Sequence, residues 1–546
     1  MPILCSVPPP SGLALSPDRQ EQGVELATTP TTTSESAQAQ PNVWLIFTAL
    51  VTTMLMSSLG QMIFSTALPT IVGELGGVDQ MSWVITSFMV TMTIAMPIFG
   101  KVGDTLGRKW LYMSGITFFV IGSTVGGFAE SMETLIIGRA IQGFGGGGMM
   151  VTSQAIVAEV VPARQRGKYM GILGAVFGLS SVLGPVLGGW FTDGPGWRWG
   201  MWMNIPLGIA ALTVCFFALK LRTGSAGGKH FDWLGTLLMS TATSTLILFT
   251  TWGGNDYAWN SPMILTLVAI SLACWIGFIV VELRVADPLI PLALFRNRNM
   301  SLTTIAGVVL GLAMTGTLAY MPTYLQMVHS LSPSAAGLMM IPMMLGMLGT
   351  STAVGFVIAH TGSYKIFPII GLGLAALALF LMSSMTPATP PWRIGVYFFV
   401  FGFGLGLVMQ VLVLIVQNSF PLSVVGTATA ANNFFRQIGS SLGSSLIGSL
   451  FTMNLAGQLN HNIPPAIADL GESGAPYADR WAQGSDFVNS LTPGLVAKLP
   501  DTLRNAIHLS YNDGLTPILL MLVPALVVSL LLMFPIREDT LKETIE

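Results

Sequence analysis

Fourteen stretches of this chain are each apolar and long enough to cross a bilayer, and that restricts the fold more than any other feature. A span needs about 20 mostly apolar residues to cover ~30 Å of hydrocarbon, and helices satisfy their own backbone groups where there is no water. Residues 43–67, 81–101, 110–128, 134–157, 169–192, 200–220 and 233–252 meet that test. So do 261–282, 300–328, 335–359, 366–384, 393–417, 422–450 and 514–535. With 52% hydrophobic and 9% charged residues, the composition is that of an all-α integral membrane protein, not a soluble domain.

Charge sets the expected orientation. Lys101, Arg108, Lys109, Arg164, Arg166, Lys168, Lys220, Arg222, Lys229, Arg284, Arg296, Arg298 and Lys365 all fall on one side of the predicted bundle, against Arg198 and Arg393 in the short loops opposite. Positive loops mark the cytoplasm, and an even number of spans puts both termini there. The plan is a tail at 1–41, six helices over 42–222, a two-helix insertion at 223–283, six more helices over 284–536, and a tail at 537–546. An outer polar loop is expected at 453–513, with Leu495, Leu499, Leu503, Ile507 and Tyr511 at helical spacing, as in an amphipathic helix lying on the bundle or the membrane surface. Cys5, Cys215 and Cys274 suggest no disulfide framework.

Several short motifs carry more information than the spans. Gly100, Gly103, Asp104, Gly107, Arg108 and Lys109 form a glycine-hinged basic loop with one acid. Within the fourth helix Gly138 precedes Arg139, Gln142 and Gly143, and an arginine inside a membrane helix is costly enough to mark a functional site unless it snorkels to the interface. The fifth helix carries Gly174, Gly178, Gly184, Pro185, Gly188 and Gly189, small residues that let helices approach closely and a proline that permits a kink. Trp197–Arg198–Trp199, Asn204 and Pro206 open the sixth helix, and Gly426, Asn432, Asn433 and Arg436 lie in the thirteenth.

Taken together, these motifs resemble the fourteen-helix drug:proton antiporter family of the major facilitator superfamily, over about residues 42–536. That resemblance implies two six-helix halves plus two additional helices, a gate at the loop 100–109, an antiporter motif at 174–189, and secondary export by alternating access. It implies a bacterial cell membrane, a hydrophobic or amphipathic small molecule or a lipid as substrate, protons as the coupling ion, no cofactor, no metal, and nothing that requires nucleic acid or more than a monomer. Cavity residues expected from it are Gly60, Gln61, Ser65, Tyr320, Tyr324, Gln326, Gln410 and Gln417.

One position departs from the pattern. Where the family usually has a first-helix acid this chain has Gly60, and every Asp and Glu falls in a tail, a loop or at a helix end. Coupling therefore moves to an acid such as Asp104, Glu159 or Asp193, is absent, or is disabled by a substitution at this position; a transport-derived sensor is a further alternative. His329, near the outer end of the ninth helix, is a further candidate for titration at physiological pH, against the plainer reading of an ordinary interfacial histidine. An enzyme is excluded for want of a metal-ligand cluster, a phosphate-binding loop joined to Lys-Ser/Thr, or a nucleophile elbow.

Overall fold

The computed structural model describes residues 43–77, 80–219, 221, 231–254, 256–481, 491–541 and 543. The tail 1–41, the basic residues Lys220, Arg222 and Lys229, and the side chains of Ser65 and Pro185 lie outside the described residues. Long helices follow one another: α1 Val43–Leu75, α2 Met81–Leu106, α3 Arg108–Gly127, α4 Met132–Val160, α5 Ala163–Asp193, α6 Trp199–Ala218 and α7 Trp233–Trp252. After these come α8 Pro262–Glu282, α9 Arg298–Val328, α10 Pro333–Thr361, α11 Ile366–Ser383, α12 Pro391–Asn418, α13 Val425–Ala468 and α14 Asp501–Met533.

Among the described residues, twelve helices are long and apolar enough to cross a membrane. The two long helices outside that set are α4 and α13, whose sequences are diluted by Gly, Ser, Thr and Asn. Those small residues have a packing role. At Gly143 a Cβ would overlap the Phe88 carbonyl of α2, and at Gly439 it would overlap the Val308 carbonyl of α9. Low hydropathy here reflects helices that face other helices, not lipid.

Local chemistry sets the helix ends. Ser131 accepts from Thr134 N at 3.2 Å to start α4, and Asp232 accepts from Gly235 N at 2.8 Å to start α7. Ser261 caps α8 with Pro262 at its first position.

Two expectations about connections need correction. The loop at 100–109 shrinks to a single non-helical residue, Gly107, at φ 97° and ψ 145°. That backbone conformation is open to glycine and strained for other residues, so α2 and α3 meet in one turn. The outer segment 453–513 is also more regular than a polar loop. α13 continues to Ala468 as a 44-residue helix, about 66 Å long at 1.5 Å per residue, well beyond a ~30 Å hydrocarbon layer. α14 starts at Asp501 and runs unbroken for 33 residues. The apolar stripe Leu499, Leu503, Ile507 and Tyr511 is buried in the same cluster as Leu455, Leu459 and Ile463 of α13. Asn462 Nδ2 also donates to Ser510 Oγ at 3.0 Å. The stripe from Leu499 to Tyr511 therefore packs on the extension of α13, the bundle alternative of the two expected for it.

Candidate functional site

Asp104 ends the second helix facing the start of α13. Its side chain is only 5% exposed. It accepts from Gly426 N at 3.1 Å, Thr427 N at 2.7 Å and Thr427 Oγ1 at 2.9 Å. Those N–H groups belong to the first turn of α13, which has no side-chain cap of its own. Asp104 therefore caps, in trans, a helix more than 300 residues away in sequence, where the helix dipole favours an anion. At Gly426 a Cβ would overlap the Asp104 carboxylate, which explains the glycine.

Arg108 completes the latch. Its Nη2 donates to Asp104 Oδ1 at 2.8 Å and to the Leu422 carbonyl at 2.8 Å. Nη1 donates to Glu159 Oε2 at 2.9 Å and to the Ala155 carbonyl of α4 at 3.2 Å. One guanidinium thus ties α2, α4 and the turn before α13. Gly100 lies against Ala430 and the Gly426 carbonyl, and Gly103 accepts the N–H of Gly107 at 3.2 Å. Lys109 takes no part: its Nζ donates to the Phe216 carbonyl at 2.7 Å, at the end of α6.

A second tie lies alongside. Arg164, which the motifs did not single out, donates to the carbonyls of Ala359 at 3.1 Å and His360 at 3.0 Å, the last turn of α10, and to Glu543. Arginine at a helix C-terminus satisfies open carbonyls and the dipole together.

Deeper in, α5 and α10 touch along glycines. Ser351 Oγ donates to the Gly171 carbonyl at 3.0 Å, and a Cβ at Gly174 would lie 2.7 Å from Gln410 Cγ. At Gly178 the nearest neighbour would be Met347 Cε at 2.9 Å, whereas Gly184 faces Met62 of α1. The glycine series is therefore split between two seams. Gly188 lies buried and accepts from Thr192 Oγ1, and Gly189 has open space beside it.

Arg139 is fully buried, so it does not snorkel. Its Nη1 donates to the Gly60 carbonyl at 2.8 Å and to Gln142 Oε1 at 2.6 Å, and its Nε donates to the Val84 carbonyl at 3.2 Å. Phe64 and Phe88 hold the guanidinium between their rings, at 4.5 and 4.3 Å. Gln142 in turn donates to Ser123 at 2.8 Å. Gly60 thus contributes a backbone oxygen beside Arg139, at the position where an acid was expected.

Of the remaining residues expected in the cavity, Gln410 and Gln417 are buried on α12, and Gln417 Nε2 donates to the Gln154 carbonyl at 3.1 Å. Asn433 Nδ2 donates to Gln154 Oε1 at 2.7 Å, and Arg436 Nη2 donates to Asn433 Oδ1 at 2.6 Å. Asn432 Nδ2 reaches Thr304 Oγ1 at 3.4 Å. Gln154 links these groups and was missed in the sequence, where it follows Thr152 and Ser153 inside the fourth helix. Tyr324 is held within the last helices by a bond to Asn512 Oδ1 at 2.9 Å, and Tyr320 donates to the Ser444 carbonyl at 3.3 Å. Gln61 and Gln326 are half-buried. Burial, and then the nearby His508, push the pKa of His329 below its ordinary value, so it is neutral at neutral pH.

Residues 50–444 match the Major Facilitator Superfamily. The chain belongs to that superfamily. Similar proteins include an uncharacterised MFS-type transporter of Mycobacterium tuberculosis, 40% identical over 91% of this chain and 70% of its own. Multidrug transporter protein MdtP of Bacillus subtilis is 34% identical, with 87% of each chain covered. Multidrug resistance protein 3 of the same organism is 31% identical over 92% of this chain and 96% of its own. Among solved superfamily folds, the human organic anion transporter MFSD10 superposes with a TM-score of 0.60 at 14% identity, covering 90% of this chain and all of the other. The proton:xylose symporter XylE superposes with 0.58 at 14% identity, over 92% and 98%. The chain is a multi-pass membrane transporter and not an enzyme.

Proposed function

We propose that this transporter is a secondary exporter of hydrophobic or amphipathic small molecules, working by alternating access between its first six and last six helices. The observation that carries this reading is the position of the ties between the two groups. Bonds from Asp104, Arg108, Gln154, Arg164 and Gly171 to the second group lie within about 15 Å of the basic helix ends, counted at 1.5 Å per residue. This is the arrangement of a closed inner gate that opens as the helix groups rock. In the same reading α4 and α13 also cross, making fourteen spans with both termini cytoplasmic and α7–α8 as the insertion.

Proton coupling belongs to the proposal too, relocated to the gate. Of the acids considered, Asp193 is exposed at the end of α5, whereas Asp104 and Glu159 share Arg108. Protonating either one weakens the latch, which links proton binding to opening. The test is dye efflux from proteoliposomes of the purified protein, with and without an imposed pH gradient. Gradient-driven efflux supports the reading, downhill movement indifferent to pH leaves an uncoupled transporter, and no movement refutes export.

An exporter of lipid-linked molecules is the second reading. A groove of about 300 Å³ between α10 and α12, lined by Leu345, Ala353, Val357, Phe399 and Phe403, favours it by offering an apolar path at the side of the bundle.

A further inference from the structure

Among the described residues four arginines are buried; Arg108 and Arg166 lie at helix ends, whereas Arg139 and Arg436 lie well inside α4 and α13 and are not equally satisfied. Arg139 is surrounded by two carbonyls, an amide oxygen and two ring faces. Arg436 is not. It is 8% exposed, its Nη2 reaches Asn433, and its Nη1 has no hydrogen-bond partner among the described residues. No ion pair of Arg436 with a carboxylate is found among those residues.

The position of Arg436 gives that gap meaning. It lies eleven residues past Val425, about 16 Å along α13, close to half the thickness of a ~30 Å hydrocarbon layer. Its neighbour Asn433 bridges to Gln154 of α4, so the charge sits beside the seam between the two helix groups. Among the described residues, other buried polar atoms between the two helix groups are also without partners: Gln154 Nε2, Gln417 Oε1 and Gln410 Oε1. A buried cation without a counter-ion is costly, and a planar guanidinium with a free N–H is suited to a two-oxygen anion.

We infer that the seam at Arg436 selects organic anions with an apolar body, whose carboxylate or sulfonate is the counter-ion that the described residues do not supply. This rests on the export reading above and narrows it. The anion's two oxygens take the free Arg436 N–H and the spare amide donor of Gln154, while the side-chain oxygens of Gln410 and Gln417 remain available to donors elsewhere on the substrate.

The experiment uses three dansyl probes that share one ring system: dansyl glycine (anionic), dansyl amide (neutral) and a dansyl quaternary ammonium (cationic). Full-length protein in phosphatidylcholine proteoliposomes is assayed for binding and for transport of each, as wild type, Arg436→Lys and Arg436→Gln. The expected result is preference for dansyl glycine, a loss of about tenfold or more in its affinity in Arg436→Gln with little change for dansyl amide, and partial retention in Arg436→Lys. Preference for the cation, or equal losses for all three probes, would overturn the inference and return Arg436 to a structural role. Transport of the neutral or cationic probe without the anion overturns the substrate class while leaving export standing; transport of none overturns both. Competition by added phosphatidylglycerol without transport of dansyl glycine would assign the site to an anionic lipid headgroup and sink the small-molecule form of the proposal.

Discussion

Replacing Asp104 with Asn keeps the side chain's shape and removes half of its accepting capacity. The carboxylate now accepts four bonds, from Arg108, Gly426 N, Thr427 N and Thr427 Oγ1. An amide turned to satisfy Thr427 presents its NH2 to Gly426 N–H and the Arg108 guanidinium, so two donors face a donor. Hydrogen bonds to charged groups contribute about 1.5–3 kcal/mol each, so the closed gate loses about 3–6 kcal/mol relative to an open one in which water solvates the amide. At about 1.4 kcal/mol per factor of ten, the closed-to-open ratio falls by about a hundredfold to ten-thousandfold. The change can be read by electron–electron double resonance between nitroxides at Leu106 and Ser423, both exposed on either side of the latch. Asp104→Asn should move population from the short to the long distance and slow dye efflux, with insertion intact. An unchanged distance distribution together with unchanged efflux would refute the trans-cap argument.

Gly426→Ala should reproduce the Asp104→Asn phenotype without touching any charge, since its Cβ would overlap the carboxylate; normal gating in that variant would show that the turn can shift to make room. Arg139→Lys should fail to restore what Arg139→Ala loses in expression and efflux, because an ammonium cannot point at Val84, Gly60 and Gln142 while stacking between two rings; full rescue by Lys would mean that charge alone matters. Glu74 accepts from Arg198 and from Trp197 Nε1, and the Arg198 bond, then the Trp197 bond, holds its carboxyl below the ordinary 4.5. A lowered carboxyl contributes stability that is complete above its unfolded value and is lost as pH falls through the folded one. The thermal-stability deficit of Glu74→Gln should therefore be flat from about pH 5 to 8 and vanish only in stronger acid, and a deficit that fades near neutrality would contradict the contact. Ile507→Ala, at a fully buried position between the α13 and α14 extensions, should cost about 2–4 kcal/mol in unfolding; no loss would mean that the pair does not pack in solution.

Apolar runs made most helices legible in the sequence, because lipid imposes length and composition on any segment that faces it. What they could not reveal is what one helix asks of another. The α13 extension runs through Pro464 and Pro465 and polar residues, so it reads as loop until Leu455, Leu459 and Ile463 are seen against Ile507. Motif reading identified Asp104 and Arg108, and the three-dimensional structure supplied the reason: two N–H groups more than 300 residues away. Gly60 looked like a missing acid, and only the structure shows its backbone oxygen accepting from Arg139. A side chain placed there would meet Phe119 and Gln142 first. Gln154 left almost no trace, since one glutamine among glycines and alanines has the same appearance whether it packs or bridges.

The trans-cap also determines what opening leaves behind. In the export cycle we propose, Asp104 withdraws on opening and leaves the first N–H groups of α13 to water as acceptor. In that cycle the latch exchanges one set of acceptors for another, so opening costs the helix end far less than a bare loss of its cap would.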